Sequence, residues 1–277
     1  MDFLRFAEAH GLEITDLAVG RITRCRTSDH RSKKNGAYYF EYDFGWVQNW
    51  AVHDSPQIWI TDKEVDQKEL QLKLKKSRDK YNEERAKINQ QAIKKAELIL
   101  SRCRNDLSQY LASKGFHEMC FNMLFEDEKD PLLCVPMRIN GQISGLQVIS
   151  PDGAKRFVYG TNASYATFDI GGGELHIYTE GLATALSAQV VMSALKITST
   201  IHCCFSAGNL KKVALKIGKG IVLADHDESK TGETVAKETG LPYFMPPVVG
   251  HDFNDYWLKN GTFTASMEIK RLIYKRR

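Results

Sequence analysis

From Gly173 to Leu258 the sequence repeats one pattern: a short apolar or β-branched run, a break, then a helical stretch. "ELHIYTEG" precedes "LATALSAQVVMSAL", and "TSTIHCCFSAG" precedes "NLKKVALKIG". "GIVLADHD" precedes "GETVAKETG", and "LPYFMPP" precedes "FNDYWLKNG". Strands alternating with short helices imply a mainly parallel sheet, because each helix returns the chain so that the next strand runs the same way. The fold class expected for residues 173–277 is therefore α/β. In such sheets functional side chains gather at the carboxyl ends of the strands.

Three of those ends carry candidate chemistry. One presents Glu180 before Gly181, and one presents Ser206-Ala207-Gly208-Asn209 followed by Lys211 and Lys212. The third presents Asp225 and Asp227. Residues two apart in extended chain point to one side, so these two aspartates are expected to converge while His226 faces away. Carboxylates that close repel unless a cation sits between them, and a hard divalent ion suits oxygen ligands.

Upstream, the pattern changes twice. Residues 1–60 read as a short helix, Asp2 to His10, stopped by Gly11, then a small antiparallel sheet with a turn at Asn35-Gly36. Residues 61–104 contain neither Pro nor Gly and read as one or two long charged helices. Thr61 or Asp62 is the expected cap, with Glu64 in the first turn and an apolar stripe of Tyr81, Ile88, Ala92, Ala96 and Ile99. Residues 105–172 read as a small mixed α+β lobe. "DLSQYLASKGF" is its helix, ended by Gly115, and Asn140-Gly141 and Asp152-Gly153 are its turns.

Composition narrows the classes. The chain has 277 residues, 43% hydrophobic and 26% charged, with a formal net charge of +4. That is a globular balance, mildly basic, and compatible with a nucleic-acid partner. No run of about 18 apolar residues suggests a membrane span, and "MDFLRFAEAHG" does not read as a signal peptide. The six cysteines show no C-x-x-C spacing, which argues against a four-cysteine zinc site or a disulfide framework.

Taken together, "TEGLATALSA", "FSAGNLKKVA", "IVLADHDESKTGE" and "HDFNDYW" resemble the Toprim domain of phage and plasmid DNA primases. "LSQYLASKGF" and "LLCVPMRINGQISGLQVISPDGAKRFVYG" resemble the lobe preceding Toprim in those enzymes, and "SKKNGAYYFEYDFGWVQNW" resembles a segment ahead of that lobe in some phage relatives. The resemblance covers about Leu107 to Leu258. It implies a Toprim Rossmann-like fold with Glu180, Asp225 and Asp227 as catalytic residues. It implies Mg²⁺ or Mn²⁺ held among Glu180, Asp225, Asp227, Asp252 and Asp255. Lys155, Arg156, Asn209, Lys211, Lys212 and Lys230 would contact nucleic acid or NTPs.

Thr184 stands where bacterial replicative primases carry a further acid, as is common in the phage and plasmid branch, so the number of metals stays open. Cys25 and His30 are too few for the zinc ribbon that precedes the lobe in many relatives, so no structural zinc is expected. The implied function is synthesis of short RNA primers on single-stranded DNA from NTPs. It belongs to phage or plasmid replication in the bacterial cytoplasm, with a separate replicative helicase and no membrane. A Toprim nuclease and a non-catalytic replication accessory are the alternatives.

Overall fold

The computed structural model describes residues 2–29, 34–53, 55–61, 67–126 and 130–274. They fall into two units, Met1–Lys87 and Ile88–Arg277.

The first unit opens with α1 (Phe3–Ala9), whose Asp2 side chain accepts the Arg5 N–H at 2.8 Å. Five antiparallel strands follow: β1 (Leu12–Glu13), β2 (Thr23–Thr27), β3 (Gly36–Glu41), β4 (Phe44–Asn49) and β5 (Gln57–Ile60). Phe3 and Ala7 of α1 pack on Cys25, Tyr38, Phe40, Val47 and Trp59. Asn35-Gly36 is not the hairpin turn that its dipeptide suggested. Gly36 lies inside β3 opposite Cys25, where an added Cβ would stand 2.8 Å from Thr27 Cγ2 and 3.1 Å from Cys25 Sγ. The glycine is used for close packing, and the two-residue hairpin is Tyr42-Asp43, between Glu41 and its partner Phe44.

The charged segment forms one helix, α2 (Gln67–Arg102). Of the expected start, the cap Asp62 and the first-turn Glu64 lie outside the described residues, as does the side chain of Tyr81, and Thr61 is described ahead of the helix. In the second unit Ala92 and Ala96 are fully covered and pack with Ile99 on Leu124, Cys134, Leu146 and Val158.

The lobe's sheet is antiparallel throughout: β6 (Arg104–Leu107), β7 (Cys120–Leu124), β8 (Leu132–Ile139), β9 (Gln142–Ile149) and β10 (Lys155–Phe157). The helix expected from Asp106 is shorter than its sequence suggested. Arg104–Leu107 pairs as β6, and α3 (Gln109–Ser113) starts only where the Ser108 hydroxyl accepts the Leu111 N–H at 3.4 Å. Asn140 and Gly141, with φ of 49° and 80°, form the tight turn between β8 and β9.

The third sheet has the order β11-β13-β12-β14-β15, from β11 (Phe168–Gly171), β12 (Leu175–Thr179), β13 (Ser199–Cys203), β14 (Ile221–Leu223) and β15 (Tyr243–Phe244). Here β12 runs parallel to β13 and β14, and β14 parallel to β15, while β11 is antiparallel to β13. Among the described residues the parallel pairs are confined to this sheet, so the whole is a mixed α/β chain. The helices α4 (Leu182–Leu195), α5 (Ala207–Ile217), α6 (Thr231–Glu238) and α7 (Phe253–Tyr274) accompany it. Ile177, Ile201, Ile221 and Leu223 meet α4 and α7 in one core, and Tyr178, Val222 and Ala224 meet α5 and α6 in another. No helix among the described residues is long and apolar enough to cross a membrane.

Candidate active site

Because β12, β13 and β14 are mutually parallel, their carboxyl ends lie on one edge of the sheet. Glu180 directly follows β12, Phe205 and Ser206 follow β13, and Asp225 follows β14. Ser206 starts α5, its hydroxyl accepting the Asn209 N–H at 3.3 Å. The first N–H of that helix, from Ala207, bonds the Glu180 carboxylate. A helix N-terminus favours negative charge, so α5 opposes part of the Glu180 burial penalty. Burial still raises the Glu180 pKa, with Asp227 adding to the rise and Lys155 opposing it.

Asp225 is the most perturbed acid here. Its carboxyl is pushed up to about 7 by burial first, then by Glu180 and Asp252, with Lys155 acting the other way. Its Oδ1 is shut off from solvent and meets no hydrogen-bond partner. A buried polar atom without a partner is costly and uncommon in folded proteins. The chain secures this arrangement with Gly232, since a Cβ there would overlap the Asp225 carbonyl.

Asp227 behaves differently. The strand ends at Leu223, so strict strand alternation does not extend to 225–227. Asp227 turns toward the start of α6, where Oδ1 accepts from Ser229 Oγ and from Thr231 N at 3.0 Å, and Oδ2 accepts from Gly232 N at 2.8 Å. Those bonds, Ser229 foremost, lower its pKa. An ionised carboxylate has about four acceptor positions, so roughly one remains on Oδ2. His226 does face elsewhere, with Nδ1 donating to the Pro246 carbonyl at 2.8 Å.

The "DFND" acids form a reciprocal cap at the start of α7. Asp255 N donates to Asp252 Oδ1 at 2.9 Å, and Asp252 N donates to Asp255 Oδ2 at 3.1 Å. Asp255 also pairs with Lys114 at 3.8 Å, and only Asp252 acts electrostatically on Asp225. Asn254 between them is fully covered and ties α7 to the Lys114 carbonyl and to Ser187 of α4, each at 2.9 Å. The five acids are thus not drawn into one ligand sphere. Among the described residues no three His, Cys, Asp or Glu side chains are grouped so as to hold a metal ion. The reason is that Asp227, Asp252 and Asp255 are engaged at helix starts. Of these aspartates Asp225 is the one with a buried oxygen that lacks a partner, and that atom fits a hard cation.

The basic residues separate in the same way. Lys155 acts on both Glu180 and Asp225, and a Cβ on Gly181 would lie 3.5 Å from its Nζ. Arg156, its neighbour on β10, lines a cleft of about 750 Å³ with Gln109, Val148 and Asp152. Strand alternation sends the pair to opposite faces, so they do not form one basic spot. Lys211 pairs with Glu238 of α6 at 2.9 Å, whereas Lys212 donates to Ser164 Oγ at 3.1 Å. Lys230 is exposed in the left-handed conformation (φ 58°) just before α6. Asn209 is buried and spent on backbone: Oδ1 accepts from Tyr165 N at 2.6 Å, and Nδ2 donates to Ala166 O at 2.7 Å and Cys204 O at 2.9 Å.

In the first unit Tyr38, Tyr39, Phe40 and Phe44 are buried, while Tyr42 and Trp50 are exposed. The Arg24 guanidinium lies 4.0 Å from the Trp50 ring centroid. Arg31, Lys33 and His30 lie outside the described residues.

Sequence reasoning missed two residues at this edge, Tyr165 and Phe205, which hold left-handed φ values of 63° and 68°. Neither is a residue type that announces such a conformation.

No known family's sequence profile matches the chain, and no curated protein matches it. Two solved structures are similar to it. One is the structure of bacteriophage T7 lagging-strand DNA polymerase interacting with primase domains of two gp4 subunits bound to an RNA/DNA hybrid and dTTP. A chain of it matches at 16% identity over 60% of this chain and 91% of that chain, with a TM-score of 0.44. The other is the primase fragment of the bacteriophage T7 primase-helicase protein, at 18% identity over 60% of this chain and 74% of that chain, with a TM-score of 0.43.

Proposed function

We propose that the chain is a Toprim-type primase that joins ribonucleotides on a single-stranded DNA template. The observation that carries this reading is the buried Asp225 Oδ1 without a partner, coupled to Glu180 and faced by Lys155. Such an atom at the carboxyl ends of parallel strands is what a cation-dependent phosphoryl-transfer site needs. Asp225 would hold a Mg²⁺ or Mn²⁺ ion, helped by the remaining acceptor position on Asp227. When bound, the ion would offset charge on the reacting phosphate and lower the pKa of the attacking hydroxyl.

The chain's own groups supply the rest. Glu180, with its pKa raised by burial, is suited to take the proton of a primer 3′-hydroxyl near neutral pH. The Ala207 N–H favours its ionised form. Lys155 offers a cation to a phosphate oxygen beside the acids, and Lys212 and Lys230 are exposed for the strand or the triphosphate. Asp252 and Asp255 support the site by starting α7 in register, and Asn209 supports it by holding the 165–166 segment. A separate replicative helicase is the expected partner.

The test is primer synthesis on mixed-sequence single-stranded DNA with labelled NTPs and Mg²⁺ or Mn²⁺. Short RNA products that require NTPs are expected. Strand degradation with metal alone would replace the reading by a nuclease. Neither activity, from folded protein that still binds the strand, would leave a non-catalytic accessory.

A further inference from the structure

Tyr165 sits in the left-handed region with φ 63°, a conformation an aromatic residue holds only when its surroundings impose it. What imposes it is Asn209, a residue only 6% exposed, which uses all three of its observed side-chain bonds on backbone. Two of them clamp Tyr165 N and Ala166 O, and the third reaches Cys204 O. A buried amide has therefore been committed to fixing this bend, and the bend leaves Tyr165 45% exposed.

Two cations stand beside that ring. Lys216 Nζ lies 5.5 Å and Lys212 Nζ 6.0 Å from its centroid. The lysines are four apart on α5, so they share one face and repel each other. Strain at Tyr165 and like charges on α5 both oppose folding, and exposed cation–π contacts offset them only modestly. A rigid, outward aromatic face between two ammonium groups has the composition of a site for a planar ring carried on a phosphate chain. Both lysines stand on α5, the helix whose first N–H faces Glu180.

We propose that Tyr165 is a stacking platform for one unpaired base of a single-stranded nucleic acid, with Lys212 and Lys216 taking the flanking phosphates. The choice of a nucleic acid as occupant rests on the primase reading.

The test is binding without metal or NTPs, by fluorescence anisotropy. A labelled oligothymidylate is compared with an abasic strand of equal length, over a series of salt concentrations. Wild-type protein should prefer the base-bearing strand. Tyr165→Asn, which tolerates the left-handed backbone, should lose about tenfold of that preference. Tyr165→Phe should keep it. Lys212→Ala with Lys216→Ala should flatten the slope of log K against log salt by about 1.4, two contacts on a single strand. An undiminished preference in a Tyr165→Asn protein of unchanged melting temperature overturns the platform. So does an unchanged salt slope in the lysine pair, which decides the matter if Tyr165→Asn fails to fold. Because no synthesis is involved, the two readings fail separately. A base preference that depends on Tyr165 in a protein unable to make primers sinks the primase and keeps the platform. Primer synthesis with no Tyr165-dependent preference does the reverse.

Discussion

Asp225 is kept in a state that costs stability. Its pKa rises from 3.8 to about 7, so the folded protein binds a proton that the unfolded chain releases between those values. Without metal, the stability linked to this group is fully present below about pH 4 and is lost as pH rises through about 7. The change is up to about 4 kcal/mol. Asp225→Asn should remove that slope and raise the metal-free melting temperature at pH 8, while cutting nucleotidyl transfer by roughly 10²-fold or more. Melting curves at pH 5 and pH 8 for both proteins check the first half, and single-turnover assays the second. Glu180→Gln keeps the shape and the Ala207 contact but loses basicity. It should abolish synthesis with template affinity unchanged, and an equal loss of both would assign Glu180 a structural role at the start of α5.

At the scale of elements, the four aspartates divide into one that waits and three that hold helices. Replacing Asp255 by Ala removes half of the reciprocal cap of α7 and the Lys114 pair, and should cost about 1 kcal/mol in denaturant unfolding. Any loss of activity should be smaller than that of Asp225→Asn. Gly232→Ala should do more, because the added Cβ displaces the Asp225 carbonyl. About 1–3 kcal/mol of stability should go, and cation-dependent synthesis with it. The strand–helix alternation was readable in the sequence because each apolar run breaks before a helical stretch, at Ser206 with a capping side chain and at Gly181 and Lys230 without one. The division among the acids was not. Period-two reasoning paired Asp225 with Asp227 as though the strand continued, but β14 stops at Leu223 and Ser229, Thr231 and Gly232 compete for Asp227. The same period would have separated Lys155 from Arg156, since both lie within β10. Tyr165 was invisible because its conformation depends on Asn209, which is distant in sequence.

For the whole molecule, the core of the first unit is built from apolar side chains, among them Phe3, Tyr38, Phe40, Val47 and Trp59. Cys25 is buried against Leu12 and Tyr38, and His53 accepts the Asn49 N–H at 3.1 Å on Nδ1 while its Nε2 lies 3.1 Å from His10 Nδ1. The Cys25 thiol is thus packed in the core, and both ring nitrogens of His53 have partners. Purified protein should contain no stoichiometric zinc, and a chelator should leave its unfolding curve unmoved; one zinc per chain would contradict this. The sequence made the aromatic content of this unit plain but not its sorting into covered Tyr38 and Phe44 and exposed Tyr42 and Trp50, which depends on strand register. The candidate site centres on one oxygen atom, Asp225 Oδ1, kept buried and without a partner. The most direct measurement is Mn²⁺ binding by calorimetry or electron paramagnetic resonance at pH 6 and pH 8. Wild-type protein should bind the ion more tightly at pH 8, where the Asp225 proton no longer competes, and Asp225→Asn should lose that binding and its pH dependence. Binding that is equal in the two proteins, or that does not strengthen from pH 6 to pH 8, would contradict the account.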